Sequence, residues 1–142
     1  MVSERSREVV YVASGSGAVL VFAVDPATGK LLPRAETDAG KCPSFVAFHP
    51  QRPLAYAIDE HGAAARSFEV AHEDGGRLRQ IGCVESGGEG PVYVSIDRSG
   101  RAAFVANYAG GTVAVFAISE SGALRPPTQV MKAGKHPHSI AQ

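Results

Sequence analysis

Phe104–Ile118, FVANYAGGTVAVFAI, holds two apolar runs separated by an Asn-Tyr pair and a Gly-Gly step. Extended to AAFVANY and TVAVFAI, the runs are apolar at odd and even positions alike. Successive side chains of a strand point to opposite faces, so a strand with one wet face alternates, and one apolar on both faces lies between two neighbours. Asn beside Gly-Gly is turn chemistry, because Asn bonds its own backbone and Gly accepts a positive φ; Gly110 and Gly111 are both expected to supply one. The stretch therefore reads as a hairpin in the middle of a sandwiched sheet.

Working outward, the same order of elements recurs. TGKLL, GGRLR and SGALR each carry Gly-x-Leu, and Leu31, Leu78 and Leu124 step by 47 and 46. Upstream of each lies an apolar run whose Phe22, Phe68 and Phe116 step by 46 and 48. Pro43, Pro91 and Pro137 each open a further apolar run and step by 48 and 46. Between Pro43 and Pro91 four strands are expected, over Ser44–Phe48, Leu54–Asp59, Ala65–Val70 and Leu78–Val84. Four antiparallel strands in a repeat of roughly 40–50 residues is the size of a β-propeller blade. The fold class is all-β, with three strands of a first blade over 9–38, a second blade over 43–85, a third over 91–132 and the start of a fourth over 137–142. A propeller closes with roughly 4 to 8 blades. About three would leave two apolar faces bare, so the sequence reads as an N-terminal piece of a longer protein that folds poorly alone, the alternative being a short chain that closes its ring by association.

Composition narrows the function. Lys plus Arg and Asp plus Glu both number 14, so no overall field favours nucleic acid or an anionic membrane. The charged start, MVSERSREVVYV, and the absence of any long apolar run point to a cytoplasmic, soluble protein. Cys42 and Cys83 lie outside any C-x-x-C spacing and are expected as buried free thiols. The Gly-rich pieces SGSGA, SGGEGP and YAGGT lie between strands, which excludes the strand-to-helix context of a dinucleotide loop.

PSFVAFHPQRPLAYAIDE, PVYVSIDRSGRAAFVANYAGGTVAVFAI, SGALRP and HPHSI together resemble the seven-bladed propeller lactonase family, whose members include bacterial 6-phosphogluconolactonases and fungal carboxy-muconate cyclases. The likeness runs from Val10 to Ile140. Seven blades of about 47 residues need upwards of roughly 300 residues, so it also implies further C-terminal blades to close the ring. The resemblance implies a hydrolase that opens a small sugar lactone, 6-phosphogluconolactone, to 6-phosphogluconate in the pentose phosphate pathway. It implies no organic cofactor and neither a nucleic-acid nor a membrane partner. Alternatives are a propeller scaffold that binds a partner, or a muconate-type lactonising cycloisomerase.

Lactone hydrolysis needs a group to activate water and donors for the developing oxyanion. His136 and His138, two apart on an expected innermost strand, would share one face. The resemblance implies that His138 is the general base or electrophile, with His136 assisting. Strand capping, or zinc ligation by His-x-His, are the other readings of the pair; no metal is assigned. The family's Arg-Gln pair before this motif has no counterpart in VMKAGKHPHS, which leaves Lys132 or Lys135 as a point charge for a phosphate. Glu60, with Asn107 and Tyr108, ends the second strand of successive blades; Glu60 is a candidate catalytic partner, and Asn107, Tyr108 and Lys135 are candidates for binding substrate.

Overall fold

A computed structural model describes residues 8–142. They form three antiparallel sheets laid out in chain order. The first holds β1 (Val9–Ser14), β2 (Ala18–Val24) and β3 (Leu31–Asp38). The second holds β4 (Pro43–Phe48), β5 (Leu54–Asp59), β6 (Ala64–Ala71) and β7 (Arg77–Glu85), and the third β8 (Pro91–Ile96), β9 (Ala102–Asn107), β10 (Thr112–Ala117) and β11 (Gln129–Lys132). Each is a meander in which every strand pairs with the one before it.

The doubly apolar strands are explained by stacking. All six residues of β5 are buried. Leu54, Tyr56 and Ile58 join Val94, Val105, Phe116 and Leu124 of the third sheet, while Ala55 and Ala57 turn to Val19 of the first and Phe68 of their own sheet. Burying one such large side chain contributes about 1.5–3 kcal/mol, so β5 ties three sheets together.

The Gly-x-Leu turns are where one sheet grips the next. Tyr11 Oη donates to Gly76 O at 2.8 Å, and Tyr56 Oη donates to Gly122 O at the same distance. At Gly122 φ is +93°, and a Cβ would lie 2.6 Å from Leu54 Cδ1. The Leu124 amide then donates to Ser67 Oγ, 2.9 Å away. A second clasp joins these sheets at the far end of β4. His49 Nδ1 accepts from the Gln51 and Arg52 amides, both at 3.1 Å, which leaves Nε2 to donate to Gly100 O at 3.0 Å.

Three expectations change. Residues 137–142 form no strand, and His136 takes φ +54°. A strand is completed by backbone bonds to its pairing partner, and among the described residues this segment makes none; it reaches β8 only through the Gln142 side chain, whose Nε2 donates to Ile96 O at 3.3 Å. Only Gly111 of the Gly-Gly step has a positive φ, +65°. Of the two free thiols, Cys42 is half-buried and Cys83 is exposed, because it lies on β7, the last strand of its sheet.

Candidate active site

The register of the first strand pair in each full sheet fixes which rim residues correspond. Pro43 faces Asp59 and Pro91 faces Asn107, each followed by a slip in register. Asp59 therefore corresponds to Asn107, and Glu60 to Tyr108. Asp59 is buried and accepts from the amides of Lys41 (3.0 Å), Cys42 (2.9 Å) and Gly62 (3.0 Å), with Arg66 Nη2 at 3.6 Å. Burial pushes its carboxyl up, but those donors and the guanidinium outweigh it and hold the group below its ordinary value. Asn107 does the same work without charge. Its Nδ2 donates to Ser86 O at 3.0 Å and to Thr112 Oγ1 at 3.2 Å. Both residues pin the linker that enters their sheet.

That corrects the expectation for Asn107. It is wholly buried, with Oδ1 meeting no donor among the described residues, and its amide points back into the linker instead of out to a ligand. Asp59, which the sequence reading passed over in favour of Glu60, is its charged counterpart. The signal was present: both stand 16 residues after the Pro that opens their sheet.

The 107–112 hairpin also holds the backbone on either side of its sheet. On the incoming linker, Tyr108 N donates to Gly90 O (2.8 Å), Gly110 N to Glu89 O (2.9 Å) and Thr112 Oγ1 to Gly87 O (3.2 Å). On the outgoing one, Ala133 N donates to Gly111 O at 2.9 Å, and Gly134 O approaches so closely that a Cβ on Gly111 would lie 2.6 Å from it. This closeness, together with its positive φ, requires glycine at 111.

The outgoing linker brings the histidines onto the hairpin. The His136 ring stacks on Tyr108, with centroids 4.4 Å apart and planes 10° off parallel. His138 meets the same ring edge-on, at 5.9 Å and 86°. Beside them an open cleft of about 360 Å³ is lined by Gly110, Gly111, Thr112, Lys132, Lys135 and His136. Both lysines and both histidines are exposed. Tyr108, His136, His138 and Lys135 are thus gathered, and Lys132 with them. Glu60 is half-buried on the neighbouring sheet, and among the described residues no hydrogen bond or ring contact joins it to the histidines. Among the described residues no three His, Cys, Asp or Glu side chains converge on a point.

Residues 9–142 match a family described as "Lactonase, 7-bladed beta-propeller". The chain belongs to this lactonase family. Among curated proteins it is similar to a 6-phosphogluconolactonase of Bacillus subtilis, 28% identical over 90% of this chain and 37% of the relative. A second, from Formosa agariphila, is 28% identical over 78% of this chain and 32% of its own length. The chain thus spans about a third of the length of these relatives. Among solved structures, a Bacteroides fragilis protein assigned as a 6-phosphogluconolactonase superposes with a TM-score of 0.80 at 25% identity, covering 93% of this chain and 38% of that one. The periplasmic gluconolactonase of Pseudomonas aeruginosa gives 0.76 at 26%, covering 88% and 38%. The three sheets are thus propeller blades. No helix of the described residues is long and apolar enough to cross a membrane.

Proposed function

We propose that the protein is a lactone hydrolase that opens 6-phosphogluconolactone to 6-phosphogluconate. The observation that carries this reading is the His pair seated on Tyr108 beside Lys132 and Lys135, in a chain of the lactonase family. His138 takes a proton from water as the water oxygen adds to the lactone carbonyl carbon. The carbonyl electrons move onto oxygen, where His136 and the lysine charges are the available donors. Collapse re-forms the carbonyl and breaks the bond to the ring oxygen, which takes the proton back from His138 and leaves as the hydroxyl of the open acid. Lys135, with Lys132, holds the phosphate as a point charge, and Glu60 is a polar partner from the adjacent blade. No organic cofactor takes part in these steps.

Lysines in place of a bidentate Arg, and the likeness to a gluconolactonase, favour a second substrate, the unphosphorylated lactone. One experiment tests both. The complete gene product is assayed on gluconolactone and on its 6-phosphate, with and without His138→Ala. The expected result is a kcat lower by about 10²–10⁴-fold in the variant, the range for loss of a positioned acid–base group. Undiminished turnover removes His138 from the mechanism, and the ratio of kcat/KM for the two lactones decides the substrate.

A further inference from the structure

We infer that Tyr108 is the positioning residue for the His136–His138 pair, acting through the face and edge of its ring and not through its hydroxyl. The consequence for rate rests on the lactonase reading; the placement does not.

His136 has φ +54°. That conformation is rare for a residue with a side chain, and a residue before proline ordinarily takes an extended one. Such strain persists only where the surroundings hold it. Upstream, the linker is fixed by the Ala133–Gly111 bond and by Gly134 against Gly111. Beyond that point, among the described residues, no hydrogen bond is made by Lys135 through Ser139. The ring contacts of this segment are both with Tyr108, stacked on His136 and edge-on to His138. Pro137 limits the freedom between the two contacts. One aromatic side chain thus fixes the direction of both imidazoles. The backbone that carries the ring is itself held, because the Tyr108 amide is tied to Gly90 O and the next residues to Glu89 and Ala133. No hydrogen bond to the Tyr108 hydroxyl is formed among the described residues, so phenylalanine suffices in its place and an aliphatic residue does not.

Two measurements test this. In the complete gene product, the His136 ring protons lie over the Tyr108 face and resonate upfield of free histidine. Tyr108→Phe keeps that displacement and Tyr108→Ala abolishes it, while the His49 ring signals, fixed by three backbone hydrogen bonds, stay in place as the sign of an intact fold. Tyr108→Leu, with comparable bulk and no ring, takes the place of the Ala variant if that variant moves the His49 signals. Free-histidine shifts in the unsubstituted chain, or shifts that survive loss of the ring, overturn the proposal. In the complete gene product, Tyr108→Phe keeps kcat within about twofold, whereas loss of the ring lowers kcat by about 10- to 100-fold with a smaller change in KM, the scale expected of a misplaced catalytic group. An equal loss in the Phe variant overturns the proposal by assigning chemistry to the hydroxyl. A complete gene product that turns over neither lactone overturns the hydrolase reading and leaves the spectroscopic test standing.

Discussion

Asp59 and Asn107 solve one problem with different chemistry, and the difference can be measured. Each closes the linker in front of its sheet, Asn107 through two donated hydrogen bonds and Asp59 by accepting three amides. Because folding holds the Asp59 carboxyl below its ordinary 3.8, the folded state binds fewer protons there than the unfolded chain. Its contribution to stability is full above the unfolded value and is lost as pH falls through the folded one. Asp59→Asn should cost about 1–3 kcal/mol at neutral pH, since one amide oxygen replaces two anionic ones among three donors. The variant should also lose part of the acid-side slope that the unsubstituted chain shows below the carboxylate range. Urea midpoints measured from neutral to acid pH check both; parallel curves for the two proteins would show that Asp59 contributes no proton linkage. Residues of this kind were the least legible. A polar residue at a strand end looks alike in sequence whether it faces water or clamps a linker. Asp59 is distinguished only by the linker that folds back onto it, and His49 only by the Gly100 carbonyl that the next sheet brings.

At the scale of elements the sequence was read more fully. The four strands expected between Pro43 and Pro91 are all present, with bounds moved by a residue or two at some ends. Apolar residues on both faces result from having a sheet on either side, as β5 has, and the cue in AAFVANY is the same local trace of a global arrangement. The third Pro-led segment, at Pro137, carried the same opening and forms no strand, because a proline and two apolar positions propose a strand while a neighbour's hydrogen bonds make it. Gly-x-Leu was legible as a marker and opaque as a mechanism. The preceding sheet's tyrosine reaches the glycine carbonyl in both places where the structure has a pair to show. Burial, partly offset by the charge of Arg52, pushes the Tyr56 hydroxyl up to about 12. Tyr56→Phe should therefore remove one hydrogen bond and orphan the Gly122 carbonyl, at about 1–2 kcal/mol. Thermal unfolding of the variant gives the number, and an unchanged midpoint would mean that ring packing alone carries the contact.

The whole molecule is asymmetric in how it buries its strands. β5 lies between two sheets and is buried throughout, while β1, of similar composition, keeps Val12 37% exposed, and Phe104 on β9 is only half-buried. Register explains both. Phe104 stands at the position of Tyr11 and Tyr56, facing the side on which the next sheet would lie, and Val12 stands at the position of Ala57, facing the other. Outer strands add Leu31 at 49%, Val130 at 47% and Met131 at 52% exposure. The two open faces are the two halves of a contact that the chain already makes twice internally, so they are complementary to each other and not to themselves. A head-to-tail contact of that kind need not close at two copies. The 142-residue chain should accordingly form species that grow with concentration, followed by sedimentation velocity. Val12→Lys with Phe104→Lys should return it to a monomer by putting a positive charge on each half of the contact. A soluble monomer with one sharp unfolding transition at every concentration would instead mean that hydration of these faces costs less than their apolar area, at about 25 cal/mol per Å², implies.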